Sequence, residues 1–312
     1  MMDKTYTHSP FQGQIHCAAP ATPFNPKGEL MLDAYAEVLR YYLDVVRVDT
    51  LLIAGDNGEG YALSDDELRQ VTETAAKTIA DRIPFYVNVT RTSNRRCIER
   101  AEIAATAGAP GISLCQPPIH DASADKIVER FQAVAQAAPL RMMVYNLPLI
   151  SHFNITADVL RSICDVAPVD VVKDAPPDMD HITTMLAEMG DRFPFLYGQR
   201  LTMIPALLLG SGGFVGTGPE MFGADCRKFL DIHDMTPAER FDLHYRYGLV
   251  NQALLHTVGT PPAGLKAALN MIGLPAGVPR DHVSPLTPAE EGELRDVLIR
   301  AGVLEGSLAK TA

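Results

Sequence analysis

The amino-acid sequence predicts an α/β fold, a (β/α)8 TIM barrel with a C-terminal helical extension. Three observations lead to this prediction: eight short apolar runs rich in β-branched residues, helical patterns between them, and a change of rhythm after the eighth run. Near-continuous apolar runs are typical of strands that are buried on both faces of a parallel sheet. Eight strand–helix units within about 230 residues favour a closed barrel over an open sheet.

The predicted strands alternate with helices along the first two thirds of the chain. They cover residues 15–19, 50–54, 85–89, 110–115, 141–145, 169–173, 193–197 and 212–216. The first clear helix start is Ser64 followed by Glu67, a capping box in which each side chain satisfies a backbone N–H at the helix end. Alternation of this kind indicates βαβ units.

From about residue 219 to 304 the pattern predicts helices only. Thr236 with Glu239, and Thr287 with Glu290, form two further capping boxes with Pro at the first helical position. We therefore divide the chain into an N-terminal extension whose first residues are expected to be loosely ordered, a barrel, and a helical region that forms one domain with it. The predicted bounds are 1–14, 15–230 and 231–312.

Composition and charge exclude several classes of function. The 312 residues carry a net charge of −11, which provides no electrostatic footprint for nucleic acid or an anionic membrane. The five cysteines are odd in number and widely spaced without a CxxC pair, as expected for reduced thiols in a cytoplasmic protein. We find no run of 18 apolar residues, no secretion signal and no metal-binding motif.

Chemistry in such a barrel is expected at the C-terminal ends of the strands. Strand 2 ends in the Gly55–Glu59 turn, whose successive N–H groups suit a carboxylate, although an ordinary connecting turn explains it as well. Strand 5 ends in Tyr145, which is either catalytic or a core tyrosine with a satisfied hydroxyl. The glycine-rich run at 210–218 allows a phosphate site but has neither a dinucleotide-binding nor a P-loop spacing.

Lys173, which closes the apolar run of strand 6, is the most unusual residue in the chain. Lysine is rarely buried without reason, and desolvation lowers the pKa of its amine, as an attacking amine requires. The alternative is a buried lysine–carboxylate pair, with Asp174 as the partner. We favour a catalytic role.

The ordered set of these features resembles the dihydrodipicolinate synthase / N-acetylneuraminate lyase superfamily of class I aldolases over about residues 14–302. The landmarks are Ala21–Phe24, Gly55–Glu59, Leu63–Glu67, Tyr145–Pro148, Val172–Asp174, Gly198, Gly213–Gly216 and Leu265–Asn270. The resemblance implies that Lys173 forms a Schiff base with pyruvate and that Tyr145 shuttles protons. It also implies no metal or organic cofactor and a homotetramer or homodimer.

The resemblance further implies a set of substrate-binding positions. The turn containing Asp56, Asn57 and Gly58 would hold the carboxylate, and Gly198 and Val215 would border the pocket. In that turn Asp56 and Asn57 replace the family's two hydroxyl residues. Asn57 can still donate to a carboxylate, whereas Asp56 would face Tyr145 as a base or stay outside the pocket.

Other departures concern substrate choice. Ile119 stands where the synthases carry a tyrosine, and Ile150 where they carry an arginine for the second substrate. Arg200 replaces an acidic residue of the sialic acid lyases, so we hypothesise that it meets a second carboxylate. Arg91 and Arg95 are candidates for the same task, and a surface salt bridge is the alternative for each arginine.

We therefore predict a Schiff-base lyase, an aldolase or a dehydratase, acting on pyruvate or a 2-oxo sugar-derived acid. Dihydrodipicolinate synthase and N-acetylneuraminate lyase activities are alternatives that the departures disfavour. A non-catalytic sensor of 2-oxo acids is the alternative from another class. His120 and His152 follow strands 4 and 5, where surface or supporting roles are expected.

Overall fold

The fold is taken from a computed structural model that describes residues 5–116, 123–199, 201–257, 261–280 and 283–306. Eight parallel strands pair in chain order and close into a barrel, as predicted. Their bounds are β1 Ile15–Ala18, β2 Thr50–Ile53, β3 Phe85–Asn88, β4 Gly111–Cys115, β5 Arg141–Asn146, β6 Val169–Asp174, β7 Phe195–Tyr197 and β8 Gly213–Phe214. Each lies within a residue of a predicted strand except β7 and β8, which are shorter than predicted.

Helices connect the strands and continue after the barrel. Their bounds are α1 Leu32–Arg40, α2 Asp65–Ile79, α3 Asn94–Thr106, α4 Ala124–Ala137, α5 Pro148–Ser151, α6 Ala157–Cys164, α7 Met179–Met189, α8 Met203–Leu208, α9 Pro237–Gln252, α10 Pro261–Met271 and α11 Pro288–Arg300. Segments of π and 3₁₀ helix cover Tyr41–Val46, Gly60–Ala62, Pro219–Asp231 and Ala253–Thr257. The three predicted capping boxes are all formed, at the starts of α2, α9 and α11.

Two layers of apolar side chains hold the barrel together. The larger layer lies between the strands and the surrounding helices. The smaller one fills the barrel interior, and its buried members are Phe11, Ile15, Cys17, Ala19, Leu52, Tyr86, Met143, Val171, Leu196 and Val215. A barrel filled in this way is a packed core rather than a pore, so a ligand is confined to the end where the strands finish.

The two ends of the chain differ in detail from the sequence-based expectation. Within the N-terminal extension, Tyr6 and Phe11 are buried and the Tyr6 hydroxyl donates to the Gly13 carbonyl, so the extension is anchored at these two side chains, although it was expected to be loosely ordered. In the C-terminal region, Val278 forms a β-bridge with Phe24, an exception to the all-helical prediction. Both exceptions involve contacts with distant parts of the chain, since the Thr7 N–H also donates to the Asp191 carbonyl at 3.0 Å.

None of the helices in the described part of the chain has the length and apolar character that crossing a bilayer would need.

Candidate active site

The turn after β2 has an unusual backbone. Ala54 and Glu59 have positive φ angles of 53° and 49°, a region that costs a non-glycine residue free energy. Gly60 is required here, because a Cβ atom on it would lie 1.8 Å from the Ala54 carbonyl oxygen. The strained turn presents Asp56 and Asn57 at the C-terminal end of the barrel.

Lys173 and Tyr145 are brought together by the register between β5 and β6, in which they are direct partners. The Lys173 Nζ atom lies 4.0 Å from the centroid of the Tyr145 ring. In the described part of the chain no carboxylate forms an ion pair with this amine. Burial lowers the pKa of Lys173, and the negative charge of Asp56 partly opposes that effect.

The Tyr145 hydroxyl donates a hydrogen bond to the Asp56 carboxylate, with 3.3 Å between the oxygen atoms. Burial, reinforced by the nearby Asp56 charge, raises the pKa of Tyr145 well above its ordinary value. The phenol therefore keeps its proton at neutral pH and directs it towards Asp56. Asp56 itself is exposed at the cavity, so a proton that reaches it can exchange with solvent.

Asn57 links three strand ends. Its side-chain amide donates to the Ala19 carbonyl at 3.3 Å and lies 3.0 Å from the Thr217 hydroxyl. This contact fixes the β2 turn against the segments that follow β1 and β8. The Asn57 amide is therefore occupied by protein groups, and the Thr217 hydroxyl joins it at the cavity wall.

The neighbouring carboxylate, Asp174, does not pair with Lys173, so the alternative lysine–carboxylate pair is not formed. Successive strand residues point to opposite faces of the sheet. Asp174 instead accepts from the Asn146 amide at 2.8 Å and lies 3.2 Å from His181 Nε2. This buried polar group ties the ends of β5 and β6 together behind the cavity.

These residues surround a cavity of about 300 Å³, within the size range of small-molecule sites. The predicted site residues that line it are Lys173, Tyr145, Asp56, Asn57, Gly198 and Val215. The other lining residues are Ala19, Leu147, Leu149, Ile150, Ala175, Gln199, Gly216, Thr217, Leu255 and Pro261. Gly198 permits the close approach of two strand ends, because a Cβ atom there would lie 1.6 Å from the Val215 carbonyl oxygen. Among the residues described, no group of three or more His, Cys, Asp or Glu side chains is placed to hold a metal ion.

Other predicted residues lie away from the cavity. Gly58 packs behind the turn, where its carbonyl accepts from the Thr22 hydroxyl at 2.8 Å. Arg91 donates to backbone carbonyls, including that of Gly60 at 2.5 Å, and the largely exposed Arg95 side chain lies 3.8 Å from a carboxylate oxygen of Glu99. Neither arginine is therefore placed to meet a substrate carboxylate, which corrects that expectation.

His152 is an exposed helix-ending residue with positive φ, which agrees with its expected surface role. Ile119, His120 and Arg200 lie outside the described residues. The prediction that Arg200 meets a second carboxylate therefore stays a prediction.

Several residues that line the cavity were not predicted. Thr217 lies within the glycine-rich run at 210–218, and its hydroxyl was the available signal. Leu149 comes from the short helix α5, and Leu255 and Pro261 come from the helical region after the barrel. No local pattern marks these apolar residues, because only the folding of the helical region over the barrel end brings them to the cavity.

The chain was compared with known proteins. The sequence model of the dihydrodipicolinate synthetase family matches residues 12–301. A 4-hydroxy-tetrahydrodipicolinate synthase from Nitratidesulfovibrio vulgaris is 27% identical over 299 residues, which are 94% of this chain and 99% of that protein. The crystal structure of the dihydrodipicolinate synthase from Cyanidioschyzon merolae with lysine bound is similar with a TM-score of 0.85 and 26% identity, covering 94% of this chain and 99% of that chain.

The fold is also that of YagE from Escherichia coli K12, whose crystal structure contains pyruvate. That structure matches with a TM-score of 0.83 and 22% identity, covering 93% of this chain and 99% of the other.

Proposed function

The chain belongs to the dihydrodipicolinate synthetase family, and on that premise we propose that it is a lyase that binds pyruvate, or a related 2-oxo acid, as a Schiff base on Lys173. The observation that carries this proposal is the state of Lys173. Its amine faces a cavity, lies against Tyr145, has a lowered pKa and is paired with no described carboxylate. A neutral, unpaired amine is the form that attacks a carbonyl carbon.

The proposed reaction begins at C2 of the 2-oxo acid. The Lys173 amine adds to the carbonyl, and loss of water leaves a protonated imine that withdraws electrons from C3. Tyr145 lies against the amine and hydrogen-bonds Asp56, so it is placed to exchange protons with the bound substrate. General acid–base catalysis by a positioned group contributes about 10²–10⁴-fold to a rate.

We propose that Asp56 is the base behind Tyr145 in this proton transfer. When the phenol oxygen takes a proton from the substrate, its own proton passes along the hydrogen bond to Asp56. The carboxylate at this position replaces the hydroxyl relay that the family resemblance implies. Because Asp56 is exposed, we expect it to return the proton directly to solvent.

The substrate carboxylate is assigned to the rim formed by the β2 turn and the end of β8. The backbone N–H of Asn57, a residue that lines the cavity, has no backbone acceptor among the described residues. The Thr217 hydroxyl lies 3.0 Å from the Asn57 side-chain amide and therefore belongs to the same rim. Asn57, whose amide holds Thr217 and the Ala19 carbonyl, would position this rim as well as line it.

The residues that line the cavity also bear on the two alternative activities, dihydrodipicolinate synthase and N-acetylneuraminate lyase. Ile150 lines the cavity where the synthase would present an arginine to a second carboxylate. Dihydrodipicolinate synthesis is therefore disfavoured. Sialic acid cleavage is disfavoured too, because among the described lining residues few polar side chains are available for sugar hydroxyls.

Borohydride trapping tests the proposed function. The protein is incubated with pyruvate, reduced, and the adduct is located by peptide mass spectrometry. We expect the adduct on Lys173, none on the other buried lysine, Lys266, and none in Lys173→Ala. No adduct with pyruvate or with a panel of longer 2-oxo acids would remove the proposal, and an adduct without turnover of any substrate would favour the sensor.

We also propose a homotetramer or homodimer, as the family resemblance implies, and a cytoplasmic location. The five cysteines are free thiols and four of them are buried, which suits a reducing compartment. Size-exclusion chromatography with light scattering tests the assembly. A monomer under conditions of full activity would contradict it.

A further inference from the structure

We propose that the mouth of the cavity is an apolar acceptor subsite, so that the carbonyl partner added to pyruvate, or released from it, is an apolar aldehyde. This inference rests on the proposed function, because it assumes that pyruvate is bound to Lys173. It goes beyond that function by naming the chemical class of the second substrate. It also chooses the aldolase over the dehydratase.

The lining of the cavity contains two kinds of residue. Asp56, Asn57 and Thr217 are polar, and two hydrogen bonds link Asp56 to Tyr145 and Asn57 to Thr217. A second group is apolar, and its members are Leu147, Leu149, Ile150, Leu255 and Pro261. They come from the segment after β5 and from the helical region after the barrel, so two separate parts of the chain supply the same kind of surface.

Leu149 and Ile150 mark where this surface opens to solvent. They are 59% and 49% exposed, whereas most leucines and isoleucines of the barrel are fully buried. An exposed leucine or isoleucine alone needs no explanation, but several apolar side chains that line the same cavity as the Lys173 amine indicate a ligand surface.

The volume limits the size of the group that fits. The whole cavity is about 300 Å³. Apolar cavities of roughly 150 Å³ in proteins bind benzene. About half of the space would therefore accommodate a six-carbon apolar group, with the rest left for the three carbons of pyruvate.

The same surface disfavours charged and hydroxylated partners. Moving a hydroxyl or a carboxylate against such side chains removes its water without supplying hydrogen bonds, which is costly. Gln199 also lines the cavity, and its amide already donates weakly to the Ala175 carbonyl at 3.4 Å. A sugar-derived acid with several hydroxyl groups would leave most of them unpaired.

The proposed cleavage starts from a 4-hydroxy-2-oxo acid with an apolar group on C4. Lys173 forms the imine at C2 and water leaves. Tyr145, which hydrogen-bonds Asp56, removes the proton from the C4 hydroxyl. The C3–C4 bond then breaks, and its electron pair moves into the iminium to form an enamine. The aldehyde formed from C4 departs. The enamine then takes a proton at C3, and water hydrolyses the imine to pyruvate and free Lys173. The addition reaction is the reverse, and neither direction needs an oxidant or a reductant.

The test compares aldehydes in matched pairs with pyruvate and the wild-type protein. The pairs are benzaldehyde with 4-carboxybenzaldehyde, butanal with succinic semialdehyde, and propanal with glyceraldehyde. We expect kcat/KM for the apolar member of each pair to exceed that of its partner by at least about tenfold, the discrimination that a pocket of this kind provides. Preference for the charged or hydroxylated member, or turnover of no aldehyde, would overturn the inference.

A charge-introducing variant locates the subsite. Ile150→Arg is expected to lower the benzaldehyde to 4-carboxybenzaldehyde ratio by at least about tenfold, because it supplies a cation at the mouth. Leu209→Arg is the matched control: Leu209 is 54% exposed, similar to Ile150, and it does not line the cavity. An unchanged ratio in Ile150→Arg, or an equal change in Leu209→Arg, would overturn the placement.

Borohydride trapping with pyruvate alone separates the two levels of the argument. An adduct on Lys173 combined with a preference for charged aldehydes would overturn the apolar subsite and leave the proposed function standing. That outcome would also favour the predicted role of Arg200. The absence of any adduct would overturn both.

Discussion

Two lysines, the partly buried Lys173 and the fully buried Lys266, have similar surroundings but different partners. Each lies over an aromatic ring, at 4.0 Å from the Tyr145 centroid and 4.3 Å from the Phe24 centroid. Burial lowers the pKa of both amines, that of Lys266 to about 8. The difference lies in their partners: Lys266 forms an ion pair with Glu59 at 2.5 Å and donates to a backbone carbonyl, whereas no described carboxylate pairs with Lys173.

The comparison shows that burial alone does not mark a catalytic lysine. Lys266 is 1% exposed and its carboxylate partner is fully buried, so the pair is enclosed and inaccessible to a substrate. Lys173 is partly exposed, and the space beside it is open. Lys266 joins helix α10 to the β2 turn through Glu59, whereas Lys173 is left available for a covalent bond.

The largest expected effect comes from replacing Lys173. Lys173→Met should lower turnover by roughly 10⁴-fold or more, because no other group can form the imine. The free energy of unfolding should stay the same or rise, since an unpaired amine is removed from a site where its charge is desolvated. Steady-state kinetics and denaturant unfolding at one protein concentration measure the two quantities. A clear loss of stability would show that Lys173 has a structural partner after all.

The same substitution at Lys266 should have the opposite outcome. Lys266→Met should lower the free energy of unfolding by about 3–5 kcal/mol, because it leaves the buried Glu59 carboxylate without its partner. Pyruvate should still be trapped on Lys173 in the folded fraction. Denaturant unfolding and trapping on the same preparation test both expectations.

A double variant provides the control for that prediction. Glu59→Gln combined with Lys266→Met removes the stranded charge and keeps an acceptor for the backbone N–H of Arg280, which donates to Glu59 at 2.8 Å. The double variant should lose less stability than the sum of the two single variants. Additive losses would mean that the ion pair is not the source of the effect.

The fold was predictable from sequence because its signals are local. Apolar runs, capping boxes and the strand–helix rhythm each depend on residues that are close in the chain, and the eight strands and three capping boxes were confirmed. The packed Tyr6 and the bridge between Phe24 and Val278 were missed. Both depend on contacts between distant segments that no local pattern encodes.

In the candidate site too, residues with a local sequence signal were predicted, and contacts between distant segments were not. Lys173 and Tyr145 were predicted because each ends a recognisable strand, and strand ends converge in a barrel. Glu59 was visible only as part of a turn, and its pairing with Lys266 joins two distant segments. Thus two lysines lie within apolar stretches of the sequence, but only the three-dimensional contacts separate Lys266, which is paired with a carboxylate, from Lys173, which no described carboxylate pairs with.

A smaller effect is expected at Asp56, the carboxylate whose charge acts on the Lys173 amine. Asp56→Asn should lower turnover by about 10²–10⁴-fold, because Tyr145 loses the base that receives its proton. Imine formation should respond in the other direction. The Asp56 charge raises the pKa of Lys173, so removing it lowers that pKa, increases the neutral amine at a given pH and moves the acid limb of trapping to lower pH.

Turnover and trapping rates measured across pH test this pair of expectations. Asp66→Asn is the matched control, since Asp66 is an exposed aspartate of α2 that pairs with Arg69 and does not line the cavity. Unchanged turnover in Asp56→Asn would remove Asp56 from the proton path, and an acid limb that moves to higher pH would contradict its charge effect on Lys173.

The smallest expected effect concerns the ring beneath the paired lysine. Phe24 is fully buried, and both Lys266 and Arg280 lie over its face. A desolvated cation over an aromatic ring contributes about 0.5–2 kcal/mol, so Phe24→Leu should lower the free energy of unfolding more than Phe131→Leu does. Phe131 is the control because it is a fully buried phenylalanine of the barrel core, and no cation lies over its ring among the described residues. The excess, measured by denaturant unfolding, should be about 1 kcal/mol and should disappear when both variants are made in Lys266→Met and Arg280→Met backgrounds. Equal losses of unfolding free energy in the wild-type background would mean that the ring only fills space. The ion pair with Glu59 would then account for the whole difference between the two lysines.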